Sequence, residues 1–230
     1  MAERLDSALS GGKLRLSQRT ITNWVTELEA REGIADFVLT PTIISGSKLE
    51  WARRLASAIS SPSVASVLAT LNHRELTTRE EICSRTSLAS GTVGKAVLRL
   101  VEAGVVAGTV KEGVRLLRPI RESDIELWAY ELKLRDWKHG MYQALQYRRF
   151  AHSVAIILPS HAASAVRRRL GQFRDYNVGV LIFDPERSTL RVLVRPRRIA
   201  PGSQAHYLFA LATFMRRIRP AFIVRQGGIH

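Results

Sequence analysis

From Asp124 to Pro196 two patterns alternate along the chain, and this alternation narrows the possible folds more than any other feature. "DIELWAYELKL" (124–134), "SVAIILP" (153–159), "VGVLIFDP" (178–185) and "TLRVLVRP" (189–196) read as strands. The second is an unbroken apolar run of the kind found in a strand buried on both faces. Between them "RDWKHGMYQALQYRRFA" and "SHAASAVRRRLGQFRDYN" read as helices, the latter with Ser160 as its expected N-cap. Strand, helix, strand, helix, strand predicts an α/β fold with a mixed sheet and right-handed crossovers. "GSQAHYLFALATFMRRIRP" is expected to close the fold with a helix.

Upstream the signals are shorter. Residues 1–16 carry the breaker "SGG" and read as loosely ordered. Between Ser17 and Glu32, Ile21, Trp24, Val25 and Leu28 recur at helical spacing, so a helix stopped by Gly33 is expected there. "IADFVLTPTIIS" then reads as a strand and a return strand broken by Pro41, and "KLEWARRLASAIS" as a helix.

Residues 61–118 change character. "SPSVASVLATLN" is a short helix with Pro62 in its first turn. "TTREEICSRTS" follows with Thr77 or Thr78 as N-cap, and "LASGTVGKAVLRLVEAG" is a third helix closed by Gly104. "VVAGTVKEGVRLLRP" is a hairpin turning at "KEG". Three helices and a hairpin, with the run "TREEICSRTSLASGTVGKAVLRLVEAG", resemble a winged helix–turn–helix. That resemblance implies DNA contact through Ser90, Gly91, Thr92, Lys95 and Arg99 of the third helix, with Lys111 and Arg115 of the wing on phosphates. The bland alternative is a spacer or protein-interaction module.

Charge separates the two ends of the chain. Residues 1–132 hold 17 Lys and Arg against 16 Asp and Glu, whereas residues 133–230 hold 18 against 4. A field so one-sided favours a polyanion, nucleic acid above all, with "RRR" (167–169) and "RPRR" (195–198) as backbone contacts or solvated faces. "ALATFMRRIRPAF" keeps an anionic membrane surface as a lesser alternative. No apolar run is long enough to span a bilayer and the N-terminus lacks a signal-type core, so a cytoplasmic location is expected. The single cysteine, Cys83, permits no internal disulfide, the histidines show no paired zinc spacing, and no phosphate-loop, dinucleotide or nucleophile-elbow motif occurs.

The chemistry lies in "YELKL". Side chains alternate on a strand, so Glu131 and Lys133 share a face while Leu132 turns away. A carboxylate, a neighbouring carbonyl and an ammonium suit metal-assisted phosphodiester hydrolysis with Mg²⁺ or Mn²⁺. Asp36, opening "ADFVLT", converges on Glu131 if its strand pairs with that of Glu131. Glu32 reads mainly as an ordinary helix end, with help to a metal as the lesser option.

An acid on one strand, E-x-K on the next, and Gln143 and Tyr147 as Q-x-x-x-Y on the following helix resemble the PD-(D/E)XK nuclease superfamily, in its exonuclease-like branch. The resemblance implies a restriction-endonuclease-like mixed sheet flanked by helices and a metal held by Asp36, Glu131 and the Leu132 carbonyl. Catalysis would fall to Asp36, Glu131, Lys133, Gln143 and Tyr147. Two departures stand out: Ala35 replaces the usual proline before the acid, and Asp36 and Glu131 lie 95 residues apart. An inserted winged helix–turn–helix accounts for the gap, dividing the chain into 1–60, 61–119 and 120–230. The expectation is a metal-dependent DNA nuclease acting on duplex DNA, with a homodimer natural for a double-strand cutter. A DNA-binding regulator or adaptor with a silent nuclease-like domain is the main alternative, and a membrane- or ribosome-associated basic protein a weaker one.

Overall fold

The structure is a computed structural model that describes residues 3, 7, 15–16, 19–20, 23–42 and 44–218. Among the described residues, two short strands, β1 (Arg15–Leu16) and β2 (Arg19–Thr20), form a separate two-stranded sheet. The main sheet has six strands: β3 (Asn23–Ala30), β4 (Gly33–Thr40), β7 (Trp128–Leu132), β8 (Ser153–Pro159), β9 (Gly179–Asp184) and β10 (Thr189–Val194). Their spatial order is β10-β9-β8-β7-β4-β3. β7, β8 and β9 run parallel, and the three outer pairings are antiparallel. The α/β mixed sheet expected from the alternation is therefore present, with β8 at its centre and every residue of "SVAIILP" buried.

The helices are α1 (Gly46–Ala58), α2 (Pro62–Ala69), α3 (Arg79–Thr86), α4 (Ser90–Glu102), α5 (Trp137–Tyr147), α6 (Ala163–Arg167), α7 (Leu170–Asp175) and α8 (Gln204–Arg217). One face of the sheet, through Val38, Ala129, Ile156 and Val180, shares a buried cluster with Ala144 and Tyr147 of α5, Phe173 of α7 and Phe214 of α8. The opposite face gathers Phe37, Leu39, Tyr130, Ile157, Leu181 and Phe183 into a second cluster.

The chain before Gly33 corrects the sequence reading. Asn23–Ala30 is a strand paired with β4, not part of a helix. The register runs from Asn23↔Thr40 to Thr26↔Phe37, omits Glu27 and Asp36, and resumes at Leu28↔Ala35. Glu27 has φ +50°, a left-handed backbone that shifts the alternation of faces. Val25 and Leu28, three residues apart, consequently enter the same cluster, while Trp24 packs against the other. A strand with one such shift reproduces the spacing of a helix, which is why the pattern misleads.

Smaller differences follow from local chemistry. β7 holds five residues rather than eleven, because a 3₁₀ turn at Glu122–Asp124 precedes it. Ser160 opens a 3₁₀ turn (Ser160–Ala162) with no side-chain cap, and the predicted helix becomes α6 and α7. No described strand follows Pro41, and α1 begins at Gly46 instead. Most of residues 1–16, and the chain beyond Ile218, lie outside the described residues.

Residues 62–116 contribute no strand to the main sheet, although β4 and β7 on either side are paired neighbours. α2, α3 and α4 precede the hairpin β5 (Val106–Thr109) and β6 (Gly113–Leu116). Thr78 caps α3 through a reciprocal capping box with Glu81, which satisfies donors the helix leaves open. The amphipathic α4 buries Val93, Ala96, Val97 and Leu100. α2 packs on α8, so the apolar cluster is continuous between this unit and the sheet. Among the described residues no helix is long and apolar enough to cross a membrane.

Candidate active site

The site forms where two strands part. β4 and β7 pair as Leu39↔Trp128, Val38↔Ala129 and Phe37↔Tyr130, and the ladder ends there. One step further, the backbone N–H of Leu132 donates to Asp36 Oδ2 at 2.8 Å instead of to a strand carbonyl. The lapse of β3–β4 pairing at Asp36 leaves that residue beside β7, and its carboxylate takes the place of the next ladder bond. Asp36 and Glu131, 95 residues apart in the chain, thus become neighbours at the carboxyl end of β7.

Glu131 is 2 % exposed, a burial rare for a carboxylate without partners. It has two. Lys133 Nζ lies 2.9 Å from Oε1, as expected for side chains on one face of a strand. On the other side, the Tyr147 hydroxyl lies 2.6 Å from Oε2 and 2.8 Å from the Ile34 carbonyl, with a single proton to donate between them. Burial first, then the hydrogen bond and charge of Glu131 and the charge of Asp36, push the Tyr147 hydroxyl well above its usual range. Tyr147 is therefore a neutral donor across the physiological range.

α5 lies over these groups. Asp136 caps it by accepting from His139 N at 3.1 Å. A Cβ at Gly140 would stand 2.7 Å from Lys133 Cγ and 3.4 Å from Ile156 Cγ2, so only glycine lets the helix rest on the lysine stem. Gln143 falls between Gly140 and Tyr147 at helical spacing, and its Oε1 is buried with no hydrogen-bond partner among the described residues. Four of the five residues expected to carry catalysis, Asp36, Glu131, Lys133 and Tyr147, thus form one connected set, and Gln143 shares the helix of Tyr147. Gly140 and the Ile34 carbonyl were missed; a glycine within a helical pattern is the one signal that pointed to the first.

Glu32 occupies the turn between β3 and β4, with its carboxylate against His206 Nδ1 of α8. Among the described residues no group of three or more His, Cys, Asp or Glu could hold a metal. The oxygen donors on the parting strands themselves are the carboxylates of Asp36 and Glu131 and the Leu132 carbonyl.

Ser90, Gly91, Thr92 and Lys95 are exposed on α4, and Lys111 on the β5–β6 turn. Arg115 is exposed and donates to the His73 carbonyl at 3.4 Å. Arg99 is also exposed, but its guanidinium is engaged by the protein. Its Nε and Nη2 donate to the carbonyls of Ala58 (2.7 Å) and Ser57 (3.1 Å) at the end of α1. Arg216 of α8 donates to Ala56 and Ile59 beside it, both at 2.7 Å. Two guanidiniums thus cap the carbonyl end of α1 and tie α4 and α8 to it. No protein-family model, curated protein or solved structure matches this chain.

Proposed function

We propose that the chain is a metal-dependent DNA nuclease with a restriction-endonuclease-like core of the PD-(D/E)XK type, into which a winged helix–turn–helix (residues 61–119) is inserted. One observation carries the reading: Asp36 takes the Leu132 N–H at the end of the β4–β7 ladder and so stands beside the Glu131–Lys133 pair. Three oxygen donors, two of them carboxylates, suit a hard divalent cation such as Mg²⁺ or Mn²⁺, with water completing the set. Asp36, Glu131 and the Leu132 carbonyl would hold the ion. When bound it would supply Lewis-acid polarisation of a phosphate oxygen and a more acidic water.

The side chains have separable roles. The Leu132 N–H orients Asp36, and the Tyr147 hydroxyl orients Glu131. Lys133 offsets the charge of a buried carboxylate and offers an ammonium to a water or to a phosphodiester oxygen where negative charge grows. Gln143 carries a buried amide oxygen without a protein partner among the described residues, on the helix that supplies Tyr147. The reading is tested by cleavage of linear and circular DNA, single- and double-stranded, with Mg²⁺ or Mn²⁺ and with EDTA, for wild type and for Asp36→Ala, Glu131→Ala and Lys133→Ala. Metal-dependent cutting lost in each variant is the expected result; equal cutting by all four proteins refutes the assignment.

One observation favours a second reading. Both oxygens of Glu131 already have protein partners, Lys133 and Tyr147. A DNA-binding regulator or adaptor whose nuclease-like core no longer cuts would hold its carboxylate in this way. Tight, metal-independent binding without cleavage selects it.

A further inference from the structure

The fold holds one irregular, arginine-rich segment in place with unusual care. After β10 the chain continues as Arg195-Pro196-Arg197-Arg198 without secondary structure. Asn177, with φ +51°, grips it on both sides: its Oδ1 accepts from Arg197 N at 2.6 Å and its Nδ2 donates to Arg197 O at 3.0 Å. Pro196 rests where a side chain at Gly179 would be, since a Cβ there would lie 2.7 Å from Pro196 Cδ. Ile199 N donates to the His152 carbonyl at 3.0 Å, and Arg198 pairs with Glu126 at 2.8 Å. A strap fixed at four successive residues keeps little conformational freedom to lose on binding.

Apart from Arg198, the arginines on and before this strap have no ion-pair partner among the described residues. Arg187, Arg191, Arg195 and Arg197 are exposed, and none pairs with a carboxylate among the described residues. Arg187 lies in the turn before β10, an edge strand of the sheet against which β1 also packs. Arg191 and Arg195 lie four residues apart along this edge, at most about 13 Å at strand rise. The track is level with the site. Glu131 pairs with Ile156, Ile156 with Val180 and Val180 with Val194, so Arg191 and Arg195 bracket that level three strands away, at about 14 Å.

We infer that this edge is the main phosphate-binding track of the protein, for the backbone of duplex DNA. Guanidinium forks match phosphate oxygens in pairs, and arginine is weakly hydrated, so a rigid row of them suits a phosphodiester chain better than a merely soluble surface requires. The segment 187–199 contains no aromatic residue on which unpaired bases could stack, which favours a duplex over a single strand. In the unit 61–119, by contrast, Arg99, Arg115 and Arg118 donate to backbone carbonyls of the protein. The inference deepens the nuclease reading and rests on it, since it names where the substrate duplex lies beside Glu131.

The test is binding of a labelled short blunt duplex in EDTA across a salt series, so that binding is read apart from cleavage. Each phosphate contact contributes about 0.9 to the slope of log affinity against log salt. The triple variant Arg191→Ala/Arg195→Ala/Arg197→Ala is expected to flatten the slope by about 2–3 and to bind at least about tenfold more weakly at moderate salt. The corresponding lysine triple should keep the slope. Asn177→Gly, which preserves the left-handed backbone but removes both side-chain bonds, should weaken binding with the slope unchanged. An alanine triple with wild-type slope and affinity overturns the inference. So does loss of binding to phosphatidylserine vesicles with binding to DNA intact, which would make the edge a membrane surface. Failure of the cleavage assay with the predicted slope change would refute the nuclease and leave the track standing.

Discussion

Tyr147→Phe probes the candidate site without assuming any activity. The substitution removes one oxygen and leaves the ring, so it opens no cavity worth counting. The hydroxyl lies between two acceptors, Glu131 Oε2 at 2.6 Å and the Ile34 carbonyl at 2.8 Å, and both Tyr147 and Glu131 are 2 % exposed. Water cannot readily replace the donor, and Glu131 keeps only Lys133. A hydrogen bond to a charged acceptor contributes about 1.5–3 kcal/mol, and a buried acceptor left without its donor adds to the loss. The expected destabilisation is about 2–3 kcal/mol, or roughly 4–12 °C in Tm for a chain of this length. Urea and thermal unfolding measure it directly. The same substitution in a Glu131→Ala background should cost no more than about 1 kcal/mol, because only the Ile34 contact remains to be lost. A change below about 0.5 kcal/mol in the wild-type background, or an equal cost in both backgrounds, would refute the claim that Tyr147 holds the carboxylate.

Gly140→Ala should separate activity from stability. Helix propensity gains up to about 1 kcal/mol while overpacking against the Lys133 stem costs about 1–3, a net loss between zero and about 3 kcal/mol; at a temperature where the variant is fully folded, displacement of Lys133 should lower metal-dependent cleavage by at least about tenfold, and wild-type turnover would refute the close packing. Arg99→Ala should destabilise by about 1.5–3 kcal/mol in urea unfolding, since it frees two carbonyls at the end of α1; a DNA-binding defect with unchanged stability would return Arg99 to the nucleic-acid surface. Burial above all holds the hydroxyls of Tyr130, Tyr147 and Tyr207 protonated in the folded chain. The unfolded chain ionises them near about pH 10, so their stabilisation is complete below that pH and falls as pH rises, by up to about 1.4 kcal/mol per unit for each. Phenolate absorbance recorded with circular dichroism should show these three ionising only with unfolding, and full ionisation of a natively folded chain would refute their burial.

Several local features were legible because they depend on neighbours in sequence. The alternation of elements from Asp124 to Pro196 led to a mixed sheet, and the structure has one. Thr78 with Glu81 is a capping box readable as a motif, and the left-handed Gly104 closes α4 where a glycine was expected. Glu131 and Lys133 share a face because side chains alternate on any strand, whatever the rest of the fold does. Gln143 and Tyr147, four apart on a helix, share a face for the equivalent reason.

Contacts between distant segments followed another rule. Nothing in "NWVTELEA" announces that Glu27 adopts a left-handed backbone, so the strand carries helical spacing and reads as a helix. That conformation and the lapse at Asp36 occur together, and only the paired strands decide that Asp36 reaches the Leu132 N–H 96 residues away. Arg99 looks like any exposed cation until α1 presents its carbonyl end to it. Asn177 becomes a clamp only because β10 brings Arg197 back beside it. A capping box such as Thr78 with Glu81, the alternation of a regular strand and the face of a regular helix are set within a few residues, so sequence alone determines them. Which backbone groups remain unpaired, and which distant side chain satisfies them, depends on how the strands assemble, and that is decided by the tertiary structure.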